Sequence, residues 1–337
     1  MHGTVLTVIL NYRTADMTRR AAEAAVVAMD GIAGSVLIVD NDSGDGSYAR
    51  LCEVFAGHPR VRVIASDRNG GFGAGNNFGM RAGLPGGARP DHVYLLNSDA
   101  FPEPDAIALL RDHLDADPAC GIAGSFIFGT DDVPHVTAFR FPSVWSELEG
   151  AAKTGVLSRL LRRHVVPMGL PRQTQPVDWL AGASMMLRSD MLDRIGAFDE
   201  TFFLYFEETD LCLRAARAGW RCDYLPASRV AHVGSESTGM KRWDRVPEYW
   251  FDSRWHYFAK NHGRGYALAA TAMHLAGAGI WGLRRMVQRK PAGAPPYFLR
   301  DLVRHTLMNA VPWRGSVRSA AQGPGTTVAN ELKKGTP

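Results

Sequence analysis

This 337-residue chain has four cysteines, Cys52, Cys120, Cys212 and Cys222, with no CxxC pair and no framework spacing. That excludes a disulfide scaffold and a thiolate metal cluster, and the expectation is buried thiols in a reducing compartment. No internal repeat is visible, which excludes a solenoid or a propeller. Met1 leads directly into a strand-like segment without a basic n-region or cleavage site, so a secretory signal is not expected. A strongly hydrophobic run is also missing. The stretch 266–283 has spanning length, but it is Ala/Gly-rich, weakly apolar and interrupted by His274. A helix lying in a membrane interface is therefore expected in preference to a true span.

What is present is ordinary globular material, 46% hydrophobic and 21% charged, enough for a sizeable core. Apolar runs at 5–10, 36–39, 61–65 and 93–96 alternate with helical patterns at 18–29, 48–55, 76–82 and 104–115. This is the pattern of a mostly parallel sheet covered by helices on both faces. Residues 127–176 are broken by prolines and carry a basic stretch at 159–164, which suggests a variable insertion or mobile loop. A helix is expected over 208–218, closed by Gly219. Residues 1–230 hold 22 Lys+Arg against 28 Asp+Glu, whereas 231–337 hold 16 against 6, so the two parts face different partners. The cations of the second part flank an apolar stretch rather than an aromatic groove. An anionic membrane surface is expected there, and no nucleic acid.

In an open α/β sheet, ligands bind beyond the carboxyl ends of the strands. Three such ends carry polar clusters. Asp40-Asn41-Asp42-Ser43 leaves the second strand, where a carboxylate can accept from the ring N–H of a pyrimidine; an Asx-rich turn would look the same. Asn69-Gly70-Gly71-Phe72-Gly73-Ala74-Gly75-Asn76 reads as a glycine-rich loop entering a helix, able to bring a nucleotide close to backbone N–H groups. It does not meet the G-x-G-x-x-G fingerprint and follows the third strand, so a dinucleotide cofactor is disfavoured. Asn97-Ser98-Asp99 ends the fourth strand with a carboxylate suited to Mg²⁺ or Mn²⁺, or to a solvated turn. A fourth cluster, Glu207-Glu208-Thr209-Asp210, follows a run of aromatics that can exclude water and raise a carboxylate pKa towards that of a general base. Asp210 and Arg214 are spaced to pair on a helix, leaving Glu207 and Glu208 the freer candidates.

In this order, Asn11-Tyr12, Asp40-Asn41-x-Ser43, Asn69-x-Gly71-Phe72-Gly, Asn97-Ser-Asp99, Trp179-Leu-x-Gly182-Ala and Phe206-Glu207-Glu208-x-Asp210-Leu-Cys-x-Arg214 resemble the family 2 glycosyltransferases, and more narrowly their bacterial rhamnosyltransferase-like branch. The resemblance covers roughly residues 4–262. It implies a GT-A fold spanning 1–262, with a nucleotide-sugar half at 1–120 and an acceptor half at 121–262. A helical membrane-associating extension at 263–320 and a flexible tail at 321–337 complete the expectation. It further implies an inverting, metal-dependent transfer from a dTDP- or UDP-sugar, rhamnose first, to a glycan or polyprenyl-linked acceptor, at the cytoplasmic face of the plasma membrane. Asp40 would contact the base, and Asn11, Asn41, Ser43, Asn69, Gly71, Phe72, Asn76, Asn97, Trp179, Gly182 and Asp210 would surround the substrates. Asp99 takes the last place of an Asp-x-Asp metal motif whose first place is Asn97, and His232 resembles a histidine that completes the metal site in some relatives. The base falls on Glu208, with Glu207 beside it. A sugar nucleotidyltransferase would need an early basic glycine-rich loop, but residues 10–18 hold Arg13 and no glycine. A non-catalytic nucleotide-sugar-binding module is the other alternative.

Overall fold

A computed structural model describes residues 2–234, 243–289 and 295–310. The expected alternation is present: β1 (Val5–Asn11), α1 (Ala15–Ala28), β2 (Gly34–Asp40), α2 (Ser47–Val54), β3 (Val61–Ala65), α3 (Gly71–Ala82) and β4 (His92–Asn97). Next come β5 (Ala100–Pro102), α4 (Ala106–Ala116), β6 (Cys120–Phe128), β7 (Ala138–Phe139), α5 (Val144–Ala152) and α6 (Gly155–Leu160). After these lie β8 (Gln175–Val177), β9 (Trp179–Leu180), β10 (Ser184–Arg188), α7 (Ser189–Ile195), α8 (Glu207–Arg217) and β11 (Arg221–His232). The C-terminal part supplies α9 (Glu248–His262), α10 (Arg264–Gln288) and α11 (Phe298–Ala310).

Nine strands form one sheet in the order β3-β2-β1-β4-β10-β6-β11-β5, with β8 also on β11. β3, β2, β1 and β4 are parallel neighbours, and β6 and β11 are parallel to each other. β10 enters antiparallel between β4 and β6, while β5 and β8 run against β11. The continuous apolar strands follow from burial on both faces. Val5, Ile9, Val36, Ile38 and Leu96 join the core beneath α1 and α4, whereas the alternating Leu6, Val8, Leu37, Val39 and Leu95 join the core beneath α3 and α8.

Three expectations change. The glycine-rich run is not a loop but the first turns of α3. Glycine is a poor helix former, yet here it permits close packing: a β-carbon on Gly79 would stand 2.7 Å from Val8 Cγ1, and one on Gly75 would strike Leu10. The segment 127–176 carries β7, α5, α6 and β8. Helix α5 begins despite Pro142 because Ser143 and Ser146 form a reciprocal capping box. In the stretch 266–283, Ala267, Ala270, Thr271 and Gly277 pack inward, so one face of the first half of α10 is core, while its other face, including Leu268, and the later turns are exposed. His274, which looked like a break in an apolar run, meets Glu147 at 2.7 Å; Glu147 also accepts from the buried Arg254 at 3.2 Å. No helix among the described residues is long and apolar enough to cross a membrane. The tail expected at 321–337 lies outside the described residues.

Candidate active site at the strand ends

The ends of β1, β2 and β4 are adjacent because Asn11 is in register with Asp40 and Leu10 with Asn97. Asp40 is buried and rigidly held. Asn11 Nδ2 donates to its Oδ2 at 2.6 Å, Ser43 Oγ to the same oxygen at 2.7 Å, and the Ser43 N–H to Oδ1 at 3.0 Å. Asn11 is in turn fixed by Thr18, whose hydroxyl donates to Oδ1 at 2.6 Å. Thr14 connects to Ser98 at 3.1 Å, joining the first and fourth strand ends. Neither threonine stood out in the sequence; a hydroxyl on the first turn of a helix carries no distinctive signal until the fold sets it opposite the strand end.

The next contacts lead across the cleft. Asn41 Nδ2 donates to Asn69 Oδ1 at 2.9 Å and to Gly71 O at 3.2 Å. Gly71 has φ +84°, and any side chain there would collide with the backbone carbonyl of Phe203. That carbonyl accepts from the Phe72 N–H at 3.0 Å. This seam seats the aromatic run against α3, and α8 begins directly after Phe206; Tyr205 (φ +70°) and Phe206 (φ +68°) are both left-handed. Two bulky residues in that region cost energy that the surrounding packing must offset, and they direct Glu207 and Glu208 inward.

Glu207 is 2% exposed, and its Oε2, like that of Glu208, has no hydrogen-bond partner. Burial and then the charge of Glu208 push Glu207 well above the usual glutamate range. Burial also raises Glu208, partly offset by its own N–H and that of Gly182. Glu208 and Phe72 both stand next to Gly182, where a β-carbon would be 3.7 Å from Glu208 Oε1 and 3.0 Å from Phe72 Cζ. The adjoining Ala183 carbonyl accepts from the Asn97 N–H at 3.0 Å, which returns the circuit to the end of β4.

There Asp99 Oδ1 is 3.1 Å from His232 Nε2, Oδ2 accepts from the Gly234 N–H at 3.1 Å, and Asn97 Nδ2 is 3.4 Å from the same ring nitrogen. Burial pushes Asp99 up, but the bond and charge of His232 and the backbone N–H groups outweigh it and hold the carboxyl below its usual range. A buried carboxylate and an imidazole converging within hydrogen-bond distance fit a divalent cation that takes its remaining ligands from diphosphate oxygens and water. Two other acidic groupings among the described residues, His113–Cys120–Asp223 and His2–Asp112–Asp115, sit around α4. The first is accounted for by Arg221, which pairs with Asp223 at 2.6 Å.

The sequence-selected residues thus divide. Asn97, Asp99 and His232 meet at the end of β4, Asp40 ends β2 on the other side of β1, Gly182 stands beside Phe72 and Glu208, Gly71 is seated on Phe203, and Glu207 packs near Gly73 of α3. Asn11 and Ser43 hold Asp40, Asn41 and Asn69 bind each other, and Asn76 is buried, donating to Phe72 O at 2.9 Å. Two residues expected at the substrate have partners within the protein. Asp210 is fully buried and its oxygens are taken by Arg214 and Lys260, each at 2.8 Å, and by Asn261 at 2.8 Å, so it joins α8 to α9. Trp179 stacks on Phe139 with centroids 4.2 Å apart and donates its indole N–H to Arg140 O at 2.9 Å, so it secures the β7–β9 pair. Arg68 and Arg81, unremarked in the sequence, line a cavity of about 560 Å³ beside Asn41 and Ala65. The available signal was the cation placed just after the third strand.

Residues 2–267 match the model of the family described as glycosyltransferase like family 2. The chain belongs to that family. This family 2 glycosyltransferase is 31% identical over 216 residues to the N-acetylglucosaminyl-diphospho-decaprenol L-rhamnosyltransferase of Mycobacterium tuberculosis, an alignment covering 61% of this chain and 68% of the relative. It is 45% identical over 56 residues to the rhamnosyltransferase WbbL of Escherichia coli K12, covering 17% of this chain and 21% of that one. Its fold superposes on a crystal structure of GalNAc-T7 with UDP, GalNAc and Mn²⁺ with a TM-score of 0.54 and 13% identity, over 90% of this chain and 54% of that chain. The architecture is therefore GT-A, a curled, mostly parallel sheet flanked by helices, with further helices at the C-terminus.

Proposed function

We propose that this glycosyltransferase moves a sugar, rhamnose first among candidates, from a deoxythymidine or uridine diphosphate carrier to a lipid-linked glycan, with inversion and with dependence on Mg²⁺ or Mn²⁺. The observation that carries the reading is the Glu207–Glu208 pair at the head of α8, each with one buried carboxylate oxygen that has no hydrogen-bond partner, in a chain whose strand ends carry Asp40 and the Asp99–His232 pair. A rhamnosyl donor and a polyprenyl-linked acceptor are supported by the name of the mycobacterial relative. Such an acceptor would place the enzyme at the inner face of the plasma membrane, where nucleotide sugars and lipid carriers meet.

In this mechanism Asp40, immobilised by Asn11 and Ser43, offers a fixed acceptor to the pyrimidine N–H. Glu208 takes the proton from the acceptor hydroxyl while that oxygen attacks the anomeric carbon and the bond to the diphosphate breaks. A single displacement from the face opposite the leaving group inverts the centre. Glu207 keeps its proton because burial and the neighbouring charge both oppose its ionisation. Asp99 and His232 would hold the cation, which when bound supplies charge neutralisation to the departing diphosphate.

The test is transfer to a polyprenyl-diphosphate-linked GlcNAc acceptor from a panel of nucleotide sugars, with Mn²⁺ or with EDTA. The expected result is metal-dependent release of nucleoside diphosphate with one donor strongly preferred. A thermal shift with a nucleotide sugar but no hydrolysis or transfer under any condition would make the protein a binding module and overturn the catalytic reading.

A further inference from the structure

Two stretches remote in sequence meet on a surface that the catalytic reading does not use. Helix α10 runs along α5 so closely that a β-carbon on Gly277 would stand 2.5 Å from Leu148 O and 2.9 Å from Ala151 Cβ. Two turns later Arg284 Nη1 donates to Lys153 O at 2.6 Å, across 131 positions of chain, and Lys153 Nζ lies 5.7 Å over the ring of Trp281. These contacts tie Lys153, two residues before α6, to the last turns of α10.

The juxtaposed elements expose what folded helices normally bury. Val156 and Leu160 on α6 are 78% and 76% exposed, and Leu283, Met286 and Val287 on α10 are 69%, 77% and 83% exposed. Exposed apolar tips gathered on two elements joined at Lys153 are the material of an interaction site. Their rim is cationic: Arg159, Arg162 and Arg163 follow on one side, and Arg284, Arg285 and Arg289 on the other. Neither 153–163 nor 280–289 contains an Asp or a Glu. A polyanion such as RNA would satisfy the arginines but offers no hydrocarbon to the five apolar tips, whereas an anionic bilayer offers both. We infer that α6 and the last turns of α10 form one docking surface for an anionic lipid bilayer, with the apolar tips entering the acyl boundary and the guanidinium groups meeting headgroup phosphates. The basic stretch at 159–164 is thereby part of the same device as the C-terminal helix.

The full chain is to be sedimented with phosphatidylglycerol-containing vesicles and with phosphatidylcholine vesicles, at low and high salt. Binding is expected to the first only, and to weaken with salt as the charge component is screened. Val156→Glu with Leu160→Glu should weaken partitioning at least as strongly as Met286→Glu with Val287→Glu. Replacing Arg159, Arg162 and Arg163 by Gln should cost about a hundredfold. All these positions are exposed, so unchanged circular dichroism and melting temperature will show that the variants fold. Failure to bind phosphatidylglycerol vesicles, or binding to RNA in their place, overturns the proposal, as does wild-type partitioning by the Val156/Leu160 variant. Because the readout is partitioning, such a failure leaves transfer to a lipid-free acceptor unaffected and the catalytic reading standing.

Discussion

Asp99 and the Glu207–Glu208 pair are enclosed carboxylates, yet their surroundings push them in opposite directions. Burial raises all three. Asp99 is returned below its usual range by His232 and backbone N–H groups, whereas among the described residues no cation offsets the burial of the glutamates and Glu207 meets a like charge. Asp210 shows that sequence proximity does not decide the matter. It sits in the same turn of α8 as the glutamates but has Lys260, Asn261 and Arg214 on its oxygens, and these hold its pKa down against burial. Partner identity, rather than depth, separates a carboxylate that must stay charged from one able to exchange a proton.

The strongest way to break this comparison is Glu208→Gln. It keeps shape and removes basicity, so kcat is expected to fall by about a thousandfold with the melting temperature unchanged. Near-normal turnover would remove Glu208 from the base role. Asp99→Asn should cost about a hundredfold in kcat/KM, and it should also abolish the thermal shift produced by Mn²⁺ with nucleoside diphosphate. If the variant retained that shift, the cation would have to be held elsewhere. Asp210→Ala tests the structural member of the set. It leaves Lys260 and Arg214 without their buried partner, so a loss of about 3 kcal/mol in urea unfolding is expected, whereas a loss of activity at full stability would return Asp210 to the substrate.

Much of the candidate site was legible in the sequence, because its polar residues sit at strand ends and strand ends announce themselves. The apolar runs to Asn11, Asp40 and Asn97 are buried on both faces and cannot be mistaken for surface segments. The i, i+4 pairing of Asp210 with Arg214 was likewise visible, although its other partners lie about fifty positions away on α9. What stayed hidden depended on contacts between distant segments. The glycines of α3 look like a loop until the sheet and Phe203 are seen to press against them. Residues 127–176 look irregular by proline content, but α5 is held by Gly277 and by Arg254 and His274 on its own Glu147, three partners from beyond residue 250. No local pattern encodes such partners.

The finest test separates the two glutamates from each other. If Glu207 is already protonated in the folded protein, Glu207→Gln replaces a neutral group by a neutral group, and turnover should change far less than in Glu208→Gln. Its signature lies in stability against pH. An unfolded glutamate ionises near 4.5, whereas folded Glu207 does so well above that. Between those values the folded chain retains a proton that the unfolded chain has released, so its contribution to stability is complete only below 4.5 and is lost as pH rises through the folded pKa. In that window wild type should lose up to about 1.4 kcal/mol per pH unit relative to the Gln variant. Denaturation curves for both proteins across mildly acidic to neutral pH would measure the divergence. Parallel curves would mean that Glu207 ionises like an exposed side chain, and the distinction between a proton-holding and a proton-accepting glutamate would fail with it.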